Sequence, residues 1–193
     1  MSVHRLYLAS ASPRRRQLLE QLKVSFEVQV ADVDETAWPG ESPADYVSRL
    51  ARTKTESVAH KLGQPAARVL AADTAVVLGG TILGKPRDRE DALAMLARLS
   101  GCEHVVLSAI ALWHDGKLDT ALSSSEVRFR TIAAAEAAAY WETGEPADKA
   151  GGYGIQGLGG IFVERLQGSY SGVMGLPLFE TAELLRRAGM SVF

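Results

Sequence analysis

The stretch Val69-Leu70-Ala71-Ala72-Asp73-Thr74-Ala75-Val76-Val77-Leu78 decides the fold. Apart from Asp73 and Thr74 it is continuously apolar, the pattern of a strand buried on both faces and hence of a sheet covered by helices on each side. A carboxylate in such a run is strongly destabilising unless a cation or hydrogen-bond donors meet it. Asp73 therefore calls for a partner. The functional candidates for it are a divalent-metal ligand or a general base for water. An Asp bonded to backbone amides at a strand end is the structural alternative.

Working outward, Gly79-Gly80 offers a hairpin turn into residues 81–83. Upstream, residues 6–9 read as a strand, Ser12 as an N-cap and Pro13 as the first helical residue, with Leu18, Leu19 and Leu22 on the helix. A second strand over 26–30 runs into the polar turn Asp32-Val33-Asp34-Glu35 and the breaker Pro39-Gly40. Ser42-Pro43 then starts a helix on which Val47, Ala51, Lys54 and Val58 share one stripe. Lys54 is thus expected on the core side.

Downstream, Asp88 caps a helix with Ala92, Met95, Leu96 and Leu99 as its apolar positions and Gly101 as its stop. Strands over 105–113 and 118–129 join around Asp115-Gly116, the strongest hairpin signal in the chain. A helix is expected over 131–141, a strand over 161–166 and a last helix over 178–188. Strands alternate with helices while the hairpins force antiparallel pairs. The expected fold is therefore α/β, a mixed twisted sheet flanked by helices, with residues 1–193 as a single domain.

Composition narrows the function. Across 193 residues the net charge is −2, which argues against a broad basic nucleic-acid surface and requires any cationic pocket to be local. Cys102 is the single cysteine, so no internal disulfide forms and a reducing, cytoplasmic setting is expected. No apolar run approaches the ~20 residues a bilayer-spanning helix needs, so no membrane partner is expected.

Charges cluster where a merely folded protein avoids them. Arg14 and Arg15 fall in the first turn of a helix, where the dipole disfavours a cation by ~0.3–1 kcal/mol each. An anion offsets that penalty. A polyphosphate held by the N-terminal amides, by the Ser10 and Ser12 hydroxyls and by the guanidinium groups fits. Residues 79–85 match G-x-x-x-x-G-K, but Pro86 replaces the magnesium-binding hydroxyl, so the segment is no Walker loop and only Lys85 remains as a phosphate contact. Asp34 and Glu35 are acidic turn residues able to offer oxygen ligands to Mg²⁺. Between 151 and 160 lie six glycines, which permit close approach of backbone to a ligand, and Gln156 among them can both donate and accept as a base edge requires. His4, His60, His104 and His114 lack the spacing of a zinc site and read as incidental. Together these features point to metal-assisted chemistry on a phosphorylated small molecule.

The ordered fragments Ser10-Ala11-Ser12-Pro13-Arg14-Arg15, Asp34-Glu35, Ala72-Asp73-Thr74, Gly84-Lys85-Pro86, Asp148-Lys149-Ala150-Gly151, Gly168-Ser169-Tyr170 and Val173-Met174-Gly175-Leu176-Pro177-Leu178 resemble the Maf family of nucleoside triphosphate pyrophosphatases. The resemblance spans essentially the whole chain. It implies two lobes around a deep cleft, similar to inosine triphosphate pyrophosphatases, and cleavage between the α and β phosphates with Mg²⁺ or Mn²⁺. Asp73-Thr74 and Gly154-Ile155-Gln156-Gly157 resemble the branch acting on dTTP and UTP, where a 7-methyl-GTP branch carries Asp-Gln and a Glu. The resemblance makes Asp73 the proton acceptor and Arg14, Thr74 and Gln156 the specificity positions. It makes Glu35, Lys54, Lys85 and Arg15 metal or phosphate groups; taken with the residue readings above, Glu35 and Asp73 are assigned to the metal, and Ser10, Ser12, Arg15, Lys54 and Lys85 to phosphate. A nucleotide-binding regulator of cell division without turnover is the rival from another class. Monomer and homodimer remain open, as does the choice between nucleotide-pool house-cleaning and division control.

Overall fold

The computed structural model describes residues 5–64 and 66–192, which leaves His4 outside. Its centre is β3 (Arg68–Leu78), the strand expected from the apolar run. Around it lie β1 (Leu6–Leu8), β2 (Phe26–Val28), β4 (Thr81–Leu83), β5 (Glu103–His114), β6 (Lys117–Phe129) and β7 (Val163–Gln167). The order is β2-β1-β3-β5-β6-β7, with β4 also on β3. β1 pairs parallel with β2 and β3, and every other pairing is antiparallel. The sheet is mixed, as the central hairpins require.

Strand alternation sorts the core. On one face Val69, Ala71, Ala75 and Val77 pack beneath α2 (Pro43–Leu62), whose buried stripe includes Val47, Ala51 and Val58. That 20-residue helix is about 30 Å long, enough to cover most of β3, whose 11 residues span roughly 35 Å. On the other face Leu70 and Ala72 join a cluster with α1 (Pro13–Gln21) and α6 (Leu178–Arg187). Further along that face Val76 joins a second cluster with α3 (Arg89–Leu99), α4 (Ala134–Glu142), Tyr153 and Phe162. These two clusters form a lobe at each end of one continuous sheet.

Local chemistry sets the helix starts. The Ser12, Ser42 and Asp88 side chains accept from the third residue onward, and Pro13 and Pro43 occupy the first turn. Four expected boundaries shift by two residues or more, and one of them is the start of β5, at Glu103 instead of residue 105. The strand at 26–30 stops at Val28. α4 begins at Ala134, because Glu136 reaches back to the Ala133 N–H at 3.0 Å and Ala133 itself is extended. Ile161 and Phe162 belong to a 3-10 turn, Leu158–Phe162, so β7 starts at Val163. The short helix α5 (Tyr170–Met174), capped by Ser169, is too brief for periodicity to reveal. No helix among the described residues is long and apolar enough to cross a membrane.

Candidate active site

One edge of β3 pairs with β5 from Val69 to Val77. The other edge is shared, with β1 taking residues 68–70 and β4 taking 76–78. Residues 71–75 therefore meet no strand on that edge among the described residues. The chain leaving β1 turns into the N-terminus of α1, and a cleft of about 530 Å³ opens here. Asp73 and Thr74 stand in the middle of the gap on opposite faces of the strand. Both line the one cleft because the missing strand opens both faces to it. The same cleft receives Ser10, Ser12, Arg14, Arg15, Glu35, Lys54, Lys85 and Gln156. Asp34, the other acid of the turn, is not in the lining: its Oδ1 accepts from the Thr36 N–H at 2.9 Å and from Thr36 Oγ1 at 2.6 Å.

Asp73 is 7 % exposed and falls between the two apolar clusters beneath α2. Its partner is Lys54, whose Nζ donates to Asp73 Oδ1 at 2.7 Å. Lys54, 9 % exposed, also meets Glu35 Oε1 at 2.6 Å. Burial pushes the Asp73 carboxyl above its ordinary range, with Lys54 and then Arg15 opposing. The strand-end alternative is set aside, since the cation that meets this acid comes from a helix 19 residues away. Glu35 sits on an exposed loop and is held over the cleft through its backbone, where its carbonyl accepts from Tyr46 Oη at 3.0 Å. Arg49 steadies the same loop. It donates to both Glu41 oxygens at 2.6 and 2.7 Å and to the Thr36 carbonyl at 3.1 Å, with its guanidinium 4.2 Å from the Trp38 ring centroid.

The two arginines of α1 differ in role. Arg15 turns inward, donating from Nε to the Gly175 carbonyl at 2.8 Å and from Nη2 to Thr74 Oγ1 at 3.1 Å. Thr74 is thereby engaged with Arg15, and its hydroxyl also lies 2.8 Å from Ser108 Oγ. Ser108 donates in turn to the Gly172 carbonyl at 2.6 Å, tying α5 to the sheet. Arg14 stays at the rim, 3.3 Å from Asp148 Oδ2. Ser10 Oγ accepts from the Ser12 N–H and Ser12 Oγ from the Arg15 N–H, so both hydroxyls shape the helix entry. Lys85 is exposed at the opposite wall.

The 3-10 turns Ala150–Gly152 and Leu158–Phe162 flank a short turn over 155–156 that presents Gln156, exposed, to the cleft. The expectation that the glycines of this segment admit a ligand needs correction at four positions. A Cβ at Gly154 would meet Lys149 Cε at 2.8 Å, at Gly159 Tyr140 Oη at 2.5 Å and at Gly160 the Ile155 carbonyl at 2.6 Å, and at Gly157 it would collide with Glu145. These glycines admit the protein's own atoms. Periodicity and motif spacing missed Tyr46, Ser108, Tyr140 and Glu145. Only the run of glycine N–H groups, each needing an acceptor, hinted at the last two. Among the described residues His60, His104 and His114 lie outside the cleft lining, but His104 is no bystander in the core: its Nε2 lies 2.8 Å from Tyr153 Oη.

The cleft suits a polyanion, with Arg14, Arg15, Lys54, Lys85 and Lys149 on its walls. Its acids suit a divalent cation only in part. Asp73 and Glu35 each commit one oxygen to Lys54 and retain the other. Among the described residues no group of three or more His, Cys, Asp or Glu side chains is poised to hold a metal ion. A pair of carboxylates fits Mg²⁺, which keeps water and substrate phosphate oxygens in its shell and seldom uses an all-protein cage.

A family model described as Maf-like protein matches residues 5–188. The dTTP/UTP pyrophosphatase of Bordetella avium (strain 197N) is 54 % identical over 97 % of this chain and 97 % of its own. That of Hahella chejuensis (strain KCTC 2396) is 52 % identical over 98 % of this chain and 94 % of its own. Among solved structures, the Staphylococcus aureus Ham1 protein aligns over 65 % of this chain and 71 % of its own, with 16 % identity and a TM-score of 0.48.

Proposed function

The chain belongs to the Maf-like protein family, and from that premise we propose that its cleft hydrolyses dTTP and UTP to the nucleoside monophosphate and pyrophosphate. One observation carries the reading, a buried carboxylate held by a lysine at the centre of a cleft walled by cations. A triphosphate carries enough negative charge to engage these cations beyond their pairing with Asp73, Glu35 and Asp148, and its anhydride is the bond such a site attacks. Water adds its oxygen to phosphorus, the α–β bridging P–O bond breaks, pyrophosphate leaves, and the proton of the water passes to Asp73. Burial favours that transfer because it raises the basicity of Asp73, while Lys54 keeps the group ionised beforehand.

Arg15, fixed by Gly175 and Thr74, offers a positioned guanidinium to the triphosphate. Arg14, Lys85 and Lys54 complete the charge match, and Ser10 and Ser12 orient the α1 amides beside them. Asp73 and Glu35 would hold Mg²⁺ or Mn²⁺, which when bound neutralises triphosphate charge. Gln156 reads the base, its amide complementing one carbonyl and the N–H of the uracil or thymine edge. We place the enzyme in the cytoplasm, acting on the pyrimidine nucleotide pool in a house-cleaning role.

The test is product identity. Incubated with dTTP and Mg²⁺, the protein should release dTMP and pyrophosphate, resolved by ion-exchange chromatography. Release of dTDP and orthophosphate would make it a phosphatase, and binding without turnover would favour the regulator.

A further inference from the structure

The segment that presents Gln156 is clamped from behind by a carboxylate that has no part in the chemistry above. Glu145 opens the 3-10 turn Glu145–Asp148 that follows α4. Its Oε1 accepts from Tyr140 Oη at 2.6 Å and from the Gly159 N–H at 3.0 Å, and its Oε2 accepts from the Leu158 N–H at 2.9 Å. Tyr140 Oη also accepts from the Gly154 N–H at 3.1 Å. Backbone donors two residues before Gln156, and two and three residues after it, thus end on one carboxylate and phenol pair.

We propose that Glu145 is a positioning residue for base selectivity, fixing the backbone on both sides of Gln156 so that its amide meets the pyrimidine edge in one orientation. The inference rests on the reading of the cleft as a pyrimidine nucleotide site. The glycines support it independently. A Cβ at Gly157 collides with the Glu145 carboxylate and one at Gly159 with Tyr140 Oη, so this part of the segment is glycine because the clamp fills the space a side chain needs. Tyr140 is itself buried against Phe162, ring centroids 5.1 Å apart, which anchors the clamp to the apolar cluster of that lobe. Burial pushes the Glu145 carboxyl up, but the hydrogen bonds from Tyr140, Gly159 and Leu158 outweigh it and hold the group below its usual range, hence ionised.

Selectivity is where such a clamp is felt. The triphosphate contacts of Arg15 and Lys54 come from α1 and α2, remote in sequence from this segment, so a loosened segment blurs the base edge while leaving the reacting end in place. Glu145→Gln preserves shape but puts an NH₂ donor against backbone N–H or Tyr140 O–H donors.

The experiment measures kcat/KM for dTTP and CTP in wild type, Glu145→Gln and Tyr140→Phe, with amide hydrogen exchange at Leu158 and Gly159. In Glu145→Gln the dTTP/CTP ratio should fall about tenfold and exchange protection at the two amides should drop, while kcat on saturating dTTP moves less than about threefold. Tyr140→Phe should lower the ratio by a smaller factor, and it carries the test alone if the Gln variant does not fold. An unchanged ratio in the folded variants, or an equal loss on both substrates, overturns the inference. Wild type that yields no dTMP and pyrophosphate from dTTP overturns the reading of the cleft and this inference with it.

Discussion

Removing Lys54 should cost far more stability than removing the carboxylate it serves. Lys54 Nζ and Asp73 Oδ1 are 2.7 Å apart, with side chains 11 % and 10 % exposed. At that separation and an effective dielectric near 20 the attraction is about 6 kcal/mol, close to what desolvating the two groups takes away. The intact pair is therefore nearly neutral in net terms, and the penalty appears only when one partner is lost. In Lys54→Met, Asp73 is left buried with Arg15 as its remaining cationic influence, and destabilisation of about 3–5 kcal/mol is expected at pH 7. In Asp73→Asn, Lys54 keeps its contact with Glu35 at 2.6 Å, so the loss should stay under about 1 kcal/mol. The double variant has no stranded charge, and it should recover at least about 2 kcal/mol relative to the sum of the singles. Urea unfolding followed by far-UV circular dichroism, with m-values compared, measures all three. Additivity within about 0.5 kcal/mol would refute the reasoning, because it would mean that the two charges do not sense one another. Turnover should vanish in each variant, so stability is the quantity that discriminates.

Arg15→Lys keeps the charge but cannot serve both the Gly175 carbonyl and Thr74 Oγ1, so kcat/KM on dTTP should drop about 10–100-fold with the fold intact by circular dichroism. Gln156→Glu loses the amide donor that a pyrimidine carbonyl meets, and the preference for dTTP over CTP should erode in a competition assay. His104, 2 % exposed, is held down by burial to a pKa of about 4 from 6.5. Between those values the unfolded chain binds the extra proton, so this group's contribution is present above pH 6.5 and is lost as pH falls towards 4, an effect of up to ~3 kcal/mol. His104→Gln should flatten the stability slope across that window in urea titrations at several pH values, and an unaltered slope would show that His104 does not titrate there.

The sequence by itself determined the elements and the chemistry that had to be reconciled. The unbroken apolar run around Asp73 pointed to a strand buried on both sides, Ser12-Pro13 and Ser42-Pro43 to two helix starts, and a lysine on an apolar stripe marked Lys54 as a buried cation. These signals are local, set by side-chain periods of 2 and 3.6 residues and by capping chemistry within a turn. Tertiary structure alone decided which charges meet. Lys54 answers Asp73 because α2 crosses that face of β3, and Arg15 reaches Gly175 across 160 residues because α5 is tied to the sheet through Ser108. The gap at residues 71–75, which lets neighbouring residues on opposite faces share one cleft, exists only because β1 and β4 stop short of each other along β3. The glycines around Gln156 likewise acquire their reason from Glu145 and Tyr140, folded behind them. Pairings of this kind follow from how long segments pack in three dimensions, and no short-range period in the chain encodes them.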